Sequence, residues 1–211
     1  MYTTATSPVR IDFRNDKLLK VFCLLFLGFW FSTLVGTTNL TNWFMENALV
    51  IVFISILAFT YTKFKFSALS YTFILVYLCL HIYGAKHTYA LNPFGFWLQD
   101  YFGLIRNPYD RIVHFSFGFM LVYPMRDFFL NKMQFPNWVA WVLPTEITLS
   151  FSCLYELIEW AVADIFFTAQ GADYLGSQGD IWDAQKDMFM AFCGAVLISI
   201  SVALTRKIIK K

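Results

Sequence analysis

Charge is scarce in this chain. Of 211 residues only 14% are Asp, Glu, Lys or Arg, against about 25% in a soluble globular domain. With 58% hydrophobic residues and a mean hydropathy of +0.56, the scarcity argues against a compact soluble enzyme, whose core would have to hide too many long apolar runs. Disorder is excluded for the opposite reason, since disordered chains are poor in apolar and aromatic residues and this one is 20% Phe, Trp and Tyr. A strong charge of one sign is missing too. The net charge is +2, with no basic stripe between polar residues, so nucleic acid is not a partner. Cys23, Cys79, Cys153 and Cys193 each stand alone in an apolar run, without CxxC or Cys/His spacing. That excludes a disulfide framework and a structural zinc site, and leaves small core residues. HExxH, GxSxG, the P-loop and the EF-hand loop are all absent. The apolar runs are continuous rather than alternating, which removes a β-barrel, and no internal repeat is evident.

What is present is a set of runs near the length a helix needs to cross a bilayer, about 20 residues. They lie near 18–36, 43–62, 67–85, 111–130, 138–160 and 184–205. The expected fold is an all-α integral membrane protein with six transmembrane helices, the fifth bent at Pro144. Arg10, Arg14, Lys17 and Lys20 precede the first run as in a signal peptide. The run is long enough to span and no A-x-A-like site follows it, so a retained helix is expected. The organisation is then a cytoplasmic tail over 1–17, one transmembrane domain over 18–205, and a basic tail over 206–211.

Orientation follows from the positive-inside rule. With both termini cytoplasmic, twelve of the 16 Lys and Arg residues fall inside. Only Lys86, Arg106, Arg111 and Lys186 fall outside. The outer loops are then near 37–42, 86–110 and 161–183. The second contains Phe94-Gly95-Phe96-Trp97, which continues to Leu104. It is aromatic and too short to span, which suits one interfacial segment in the outer loop between the third and fourth spans.

Ionisable groups gather at the same outer boundary. Within helix ends they are expensive and usually face the bundle interior or a wet cavity. Asp110 and His114 are four residues apart and share a helical face, where the carboxylate can orient the imidazole. The plainer reading is a surface ion pair and a capping Asp after Asn107-Pro108. Glu156 and Glu159, three apart, repel unless a cation or proton lies between them. The plainer reading has both reaching headgroup water beside an anchoring Trp160. Asp180, Asp183 and Asp187 fall on one stripe. Capping of a helix start explains the first two, but not Asp187 one turn deeper. His87, His114, Glu156, Glu159, Asp180, Asp183 and Asp187 are the candidate metal ligands. Histidine with carboxylate suits zinc, manganese or iron better than a purely oxygen-loving ion.

Several strings carry a resemblance. They are His87-Thr88-Tyr89-Ala90, Gly95-Phe96-Trp97-Leu98-Gln99-Asp100, Arg106-Asn107-Pro108-Tyr109-Asp110-Arg111 with His114-Phe115, Tyr155-Glu156-Leu157-Ile158-Glu159-Trp160, and Gln178-Gly179-Asp180 with Trp182-Asp183, Gln185 and Asp187-Met188. Over roughly 80–195 the chain resembles the YjdF-like bacterial inner-membrane proteins. The resemblance implies a multi-pass protein of the bacterial inner (cytoplasmic) membrane with no assigned reaction. Asp110-Arg111 with His114-Phe115, an acid in the next helix, and Asp187 before Gly194 are also similar to VanZ-like membrane proteins, which hints at cell-envelope biology.

Three functions fit these residues. The first is a membrane-embedded hydrolase or transferase acting on a lipid or envelope substrate at the periplasmic face, with a divalent metal such as zinc or manganese. Glu156, Glu159, His114 and Asp110 would be its catalytic groups, and Arg106, Arg111 and Trp97 would hold substrate. The second is a proton- or metal-ion transporter, which needs a polar path that the cytoplasmic halves lack beyond Glu146. The third is a structural or interaction protein with a satisfied polar network. Oligomeric state is not legible in the sequence.

Overall fold

A computed structural model describes residues 11–166 and 178–209, with side chains to residues 165 and 205 of the two stretches. Arg10, residues 167–177 with Asp173, and the basic residues Lys210 and Lys211 lie outside the described residues, as do the side chains of Arg206 and Lys207.

Seven helices are described: α1 (Lys17–Leu34), α2 (Leu40–Thr60), α3 (Ala68–Lys86), α4 (Pro93–Phe102), α5 (Tyr109–Asn131), α6 (Val139–Phe166) and α7 (Asp183–Ile209). No strand occurs among the described residues. Small polar side chains set several of the starts. Asp16 accepts from Leu19 N at 2.9 Å, Asn39 from Asn42 N at 3.0 Å and Ser67 from Ser70 N at 3.2 Å, each satisfying an orphan donor of the first turn. α4 has the fullest punctuation. Asn92 accepts from Phe94 N and Gly95 N, Pro93 opens the helix, and Gly103 closes it at φ 61°, a left-handed angle that favours glycine.

Four helices, α1, α2, α3 and α7 through Thr205, are long and apolar enough to cross a membrane. This is fewer than the six spans expected from hydropathy. α5 and α6, at 23 and 28 residues, are long enough. They fall short on apolarity, because α5 carries Asp110, Arg111, Arg126 and Asp127, and α6 carries Glu146, Glu156, Glu159 and Asp164. Leu24, Phe31, Phe59 and Leu204 are all more than half exposed, a surface that water does not tolerate over a whole bundle and that lipid does.

α5 is the hub, packed against α3, α6 and α7. Its contact with α7 is the closest in the bundle, and small residues make it so. A Cβ on Gly118 would collide with the Ala191 carbonyl, and one on Gly194 with the Phe115 carbonyl. Ala191 and Ala195 beside them are fully buried. Close backbone approach through small residues is the usual way membrane helices gain van der Waals contact when lipid is as apolar as the partner. The crossing fixes the N-terminal end of α5 against the first turns of α7. On the other side, Phe26, Val50, Ile74, Leu78, Ile82 and Leu121 form the core joining α1, α2, α3 and α5.

Candidate functional site

The end of the bundle where α5 begins is assembled by a buried pin. Asn107, 1% exposed, accepts from Tyr109 N through its side chain at 3.0 Å and donates to the Asn92 carbonyl at 2.9 Å. Its backbone pairs twice with the Gln178 side chain, at 2.9 and 3.2 Å. A Cβ on Gly95 would meet the Asn107 amide, so glycine there lets α4 sit against the pin. One asparagine thus ties α4, the start of α5 and the approach to α7.

The basic groups beside it are already occupied. Arg106 pairs with Asp183 and lies 3.9 Å from Asp180. Arg111 Nη2 donates to Asp180 at 2.6 Å and lies 3.4 Å from Asp183. Lys186 adds a 2.6 Å bond to Asp180. That ammonium, the Trp182 backbone N–H and the Arg111 guanidinium hold the Asp180 carboxyl well below the usual carboxylate range.

Deeper in, the cations run out. His114 Nε2 is 3.6 Å from Asp110 Oδ1 and 3.4 Å from Glu156 Oε1, and its Nδ1 is 3.5 Å from the Ser152 hydroxyl. Asp187, 2% exposed, makes its one ion pair among the described residues with Arg111 Nε at 4.0 Å. Ligand atoms of Asp110, His114 and Asp187 all lie within 4.8 Å of one another. Asp187 Oδ1 and Glu156 Oε1 are buried without a hydrogen-bond partner among the described residues. Asp110, Glu156 and Asp187 therefore share one imidazole and the flank of Arg111, a guanidinium already engaged by Asp180 and Asp183. Buried carboxylates left so need a proton or a cation to offset the loss of water.

A second polar group adjoins the first. Tyr155 donates to the Glu46 carboxylate at 3.1 and 3.2 Å, linking α6 to α2. Glu46 Oε2 is 3.8 Å from His81 Nε2, and His81 Nδ1 is hydrogen-bonded to the Tyr89 hydroxyl at 2.7 Å. Tyr89 gets there by a turn through two left-handed residues, Thr88 and Tyr89 at φ 52° and 49°, and its ring lies where a Cβ on residue 84 would be, so Gly84 admits it. His114 and Tyr155 meet edge to face at 5.7 Å, which joins the two groups. Glu159 lies within charge range of Glu46 and Asp110.

The structure thus brings together Asp110, His114, Glu156, Asp180, Asp183 and Asp187 with Arg106 and Arg111, while Glu159 sits toward the Glu46 side. It places two sequence-derived candidates elsewhere. His87 caps α3 and packs edge-on to Tyr83 at 5.1 Å. Burial and Lys86 push its imidazole below the usual range, and it makes no ion pair with a carboxylate among the described residues. Trp97 is 56% exposed on α4, stacked between Phe94 and Tyr101. Glu46, His81, Tyr89 and Tyr155 were not among the candidates. Their one signal in the sequence is an acid and a histidine inside hydropathy-defined spans, where ionisable groups are rare.

Comparison with known proteins gives a consistent picture. The family model described as "Predicted membrane protein (DUF2238)" matches residues 18–208. The inner membrane protein YjdF of Escherichia coli (strain K12) is 38% identical over 165 residues, 77% of this chain and 78% of that protein. No solved structure matches.

Proposed function

The chain belongs to the DUF2238 family of predicted membrane proteins and is a bacterial inner-membrane protein, and for it we propose an enzymatic role: a membrane-embedded hydrolase or transferase that uses a divalent cation at the outer end of the bundle to act on a lipid or envelope-linked substrate. In this reading α1, α2, α3, α5, α6 and α7 all span, both termini are cytoplasmic, and α4 lies in the outer interface with its Phe94, Trp97 and Tyr101 stack at headgroup depth.

One observation carries the reading. Asp110, His114 and Asp187 present ligand atoms within 4.8 Å of one another, and the buried Asp187 Oδ1 and Glu156 Oε1 beside them lack a donor. One imidazole with two or three carboxylates is a donor set for zinc, manganese or iron. Bound there, such an ion supplies Lewis acidity, lowering the pKa of water and polarising a phosphoryl or ester oxygen. The chain's own groups do the rest. Asp110, four residues before His114, would be a ligand beside it, and the Ser152 hydroxyl, 3.5 Å from His114 Nδ1, is the group placed to orient the imidazole. Glu156, 3.4 Å from His114, is placed to accept a proton from the attacking hydroxyl. Glu159 is the second carboxylate on that side. Arg106 and Arg111 hold Asp180 and Asp183 in place and so aim Asp187 inward.

A transport reading lacks such support. Below His114 the inward stripe of α5 is Phe117, Leu121, Pro124 and Met125, and Glu146 is exposed on α6. A purely structural network leaves the two donorless oxygens without a purpose. The test is turnover. Purified protein in vesicles of Escherichia coli lipid extract is expected to release or exchange a headgroup, detected by mass spectrometry. A chelator and Glu156→Gln should each abolish it. Unchanged lipid under every divalent metal supplied would remove the enzymatic reading.

A further inference from the structure

A cavity of about 510 Å³ begins at the polar cluster and runs down the bundle between α2 and α6. α2 and α6 do not pack as a pair among the described residues. They meet through the Tyr155–Glu46 hydrogen bond at the outer end. Below that bond the cavity lies between them, lined also by α3 and α5. The lining changes character along one face of α5. Asp110 and His114 stand at its head, followed by Phe117, Leu121, Met125 and Phe128 at helical spacing. Val52 and Ile56 on α2, with Phe151 and Leu154 on α6, form rims about half exposed, so the slot opens sideways toward lipid.

From the slot's dimensions and polarity we infer that it seats one acyl chain of a bilayer phospholipid, whose polar head meets the Asp110–His114 end. The length fits. From His114 to Phe128 is 14 residues, about 21 Å at the helical rise, most of the way across a hydrocarbon core about 30 Å thick. The width fits as well. Spread over that length, a cavity of about 510 Å³ is a narrow slot. A helix from a partner or a second copy, about 10 Å across, is too thick. The gradient from ionisable to apolar along one wall matches an amphiphile and no other membrane component. The inference deepens the enzymatic reading by naming the substrate's chain and its seat. It rests on that reading only for what happens at the head, because chain binding needs no metal.

The test is photolabelling. Full-length protein is reconstituted in phosphatidylethanolamine and phosphatidylglycerol vesicles doped with a phospholipid carrying a diazirine on one acyl chain, with and without a chelator. Adducts are expected on the α5 and α6 peptides bearing Leu121, Ile147 and Phe151, in excess over the lipid-facing Leu24 and Leu25 of α1 and Leu204 of α7. They should persist with chelator, even where turnover is lost. Leu121→Trp, which fills the slot, is expected to cut slot labelling about tenfold, equivalent to about 1.4 kcal/mol of chain affinity, while α1 labelling holds. Ile147→Trp fills the same slot from α6 and serves if Leu121→Trp does not fold. Labelling no denser in the slot than on α1, or unmoved by either tryptophan, overturns the seat whatever the metal analysis finds. Slot residues left unlabelled while a Leu154→Cys variant cross-links between copies would overturn it in favour of a protein neighbour.

Discussion

Two buried carboxylate clusters hang on opposite ends of α5, and they are built differently. At one end Asp127 is fully served by donors. Ser67 N reaches Oδ2 at 3.0 Å, Ser70 Oγ reaches the same oxygen at 2.8 Å, and Asn131 Nδ2 reaches Oδ1 at 2.7 Å. The carboxylate sits at the N-terminus of α3, where the helix dipole also favours it. Arg126 next to it stacks over Trp141, 4.0 Å from the ring centroid, and donates to Asn137 at 3.1 Å. Everything there joins helix to helix. At the other end Asp110, Glu156 and Asp187 converge on one imidazole, and Glu156 Oε1 and Asp187 Oδ1 have no hydrogen-bond partner among the described residues. The difference separates structure from readiness. A polar group that holds a fold is saturated by its own chain, whereas one that awaits a ligand is not.

That contrast can be broken in order of expected effect. The cluster around His114 depends on the α5–α7 crossing and the Asp127 site does not. Gly118→Val should force α7 off α5, destabilising the protein by about 4 kcal/mol or more. Cysteine cross-linking between α5 and α7 would read the separation, while the α3–α5 contact at Asp127 is retained. Asp127→Ala strips acceptors from two donors at the α3 start and from Asn131. A loss of about 2–3 kcal/mol is expected, seen as a lower melting temperature in detergent with lipid turnover per folded molecule unchanged. Tyr155→Phe removes the tie between α6 and α2 and should cost about 1 kcal/mol. It should also widen the slot, raising photolabelling by phospholipid. Trp97→Ala, on an exposed stack remote from both clusters, should move stability by no more than about 0.5 kcal/mol. A larger fall would mean that α4 supports the bundle rather than resting on its surface.

Helix positions were largely legible, because apolar runs and caps are local. The run expected near 67–85 is α3, Ala68–Lys86, started by Ser67, and that near 184–205 is α7, started by the acidic turn at Asp183. α4 was readable only as an aromatic segment, although Asn92, Pro93 and Gly103 spell a helix start and stop. Spacing put Asp110 with His114, and Asp183 with Asp187, on single faces. Spacing says nothing about partners some 70 residues away. Arg106 and Arg111 thus looked free to bind an anion, while the fold gives them to Asp180 and Asp183. The choice between His87 and His81 turned on the left-handed step at Thr88 and Tyr89, which swings Tyr89 back onto His81 and leaves His87 outside. Neither residue is glycine or asparagine, so nothing in their identity announces the turn.

In this account the carboxylates around His114 take up a divalent cation, whereas Asp127, served by donors of its own chain, does not. That difference is tested most directly by the metal content of protein purified in detergent, set beside Asp187→Asn and Asp127→Asn. About one divalent ion per chain is expected for the unmodified protein and for Asp127→Asn, with at least a tenfold fall in Asp187→Asn, the scale of losing a coordinating group. A folded, metal-free protein that takes up no zinc or manganese on titration, or equal metal in all three, would contradict it.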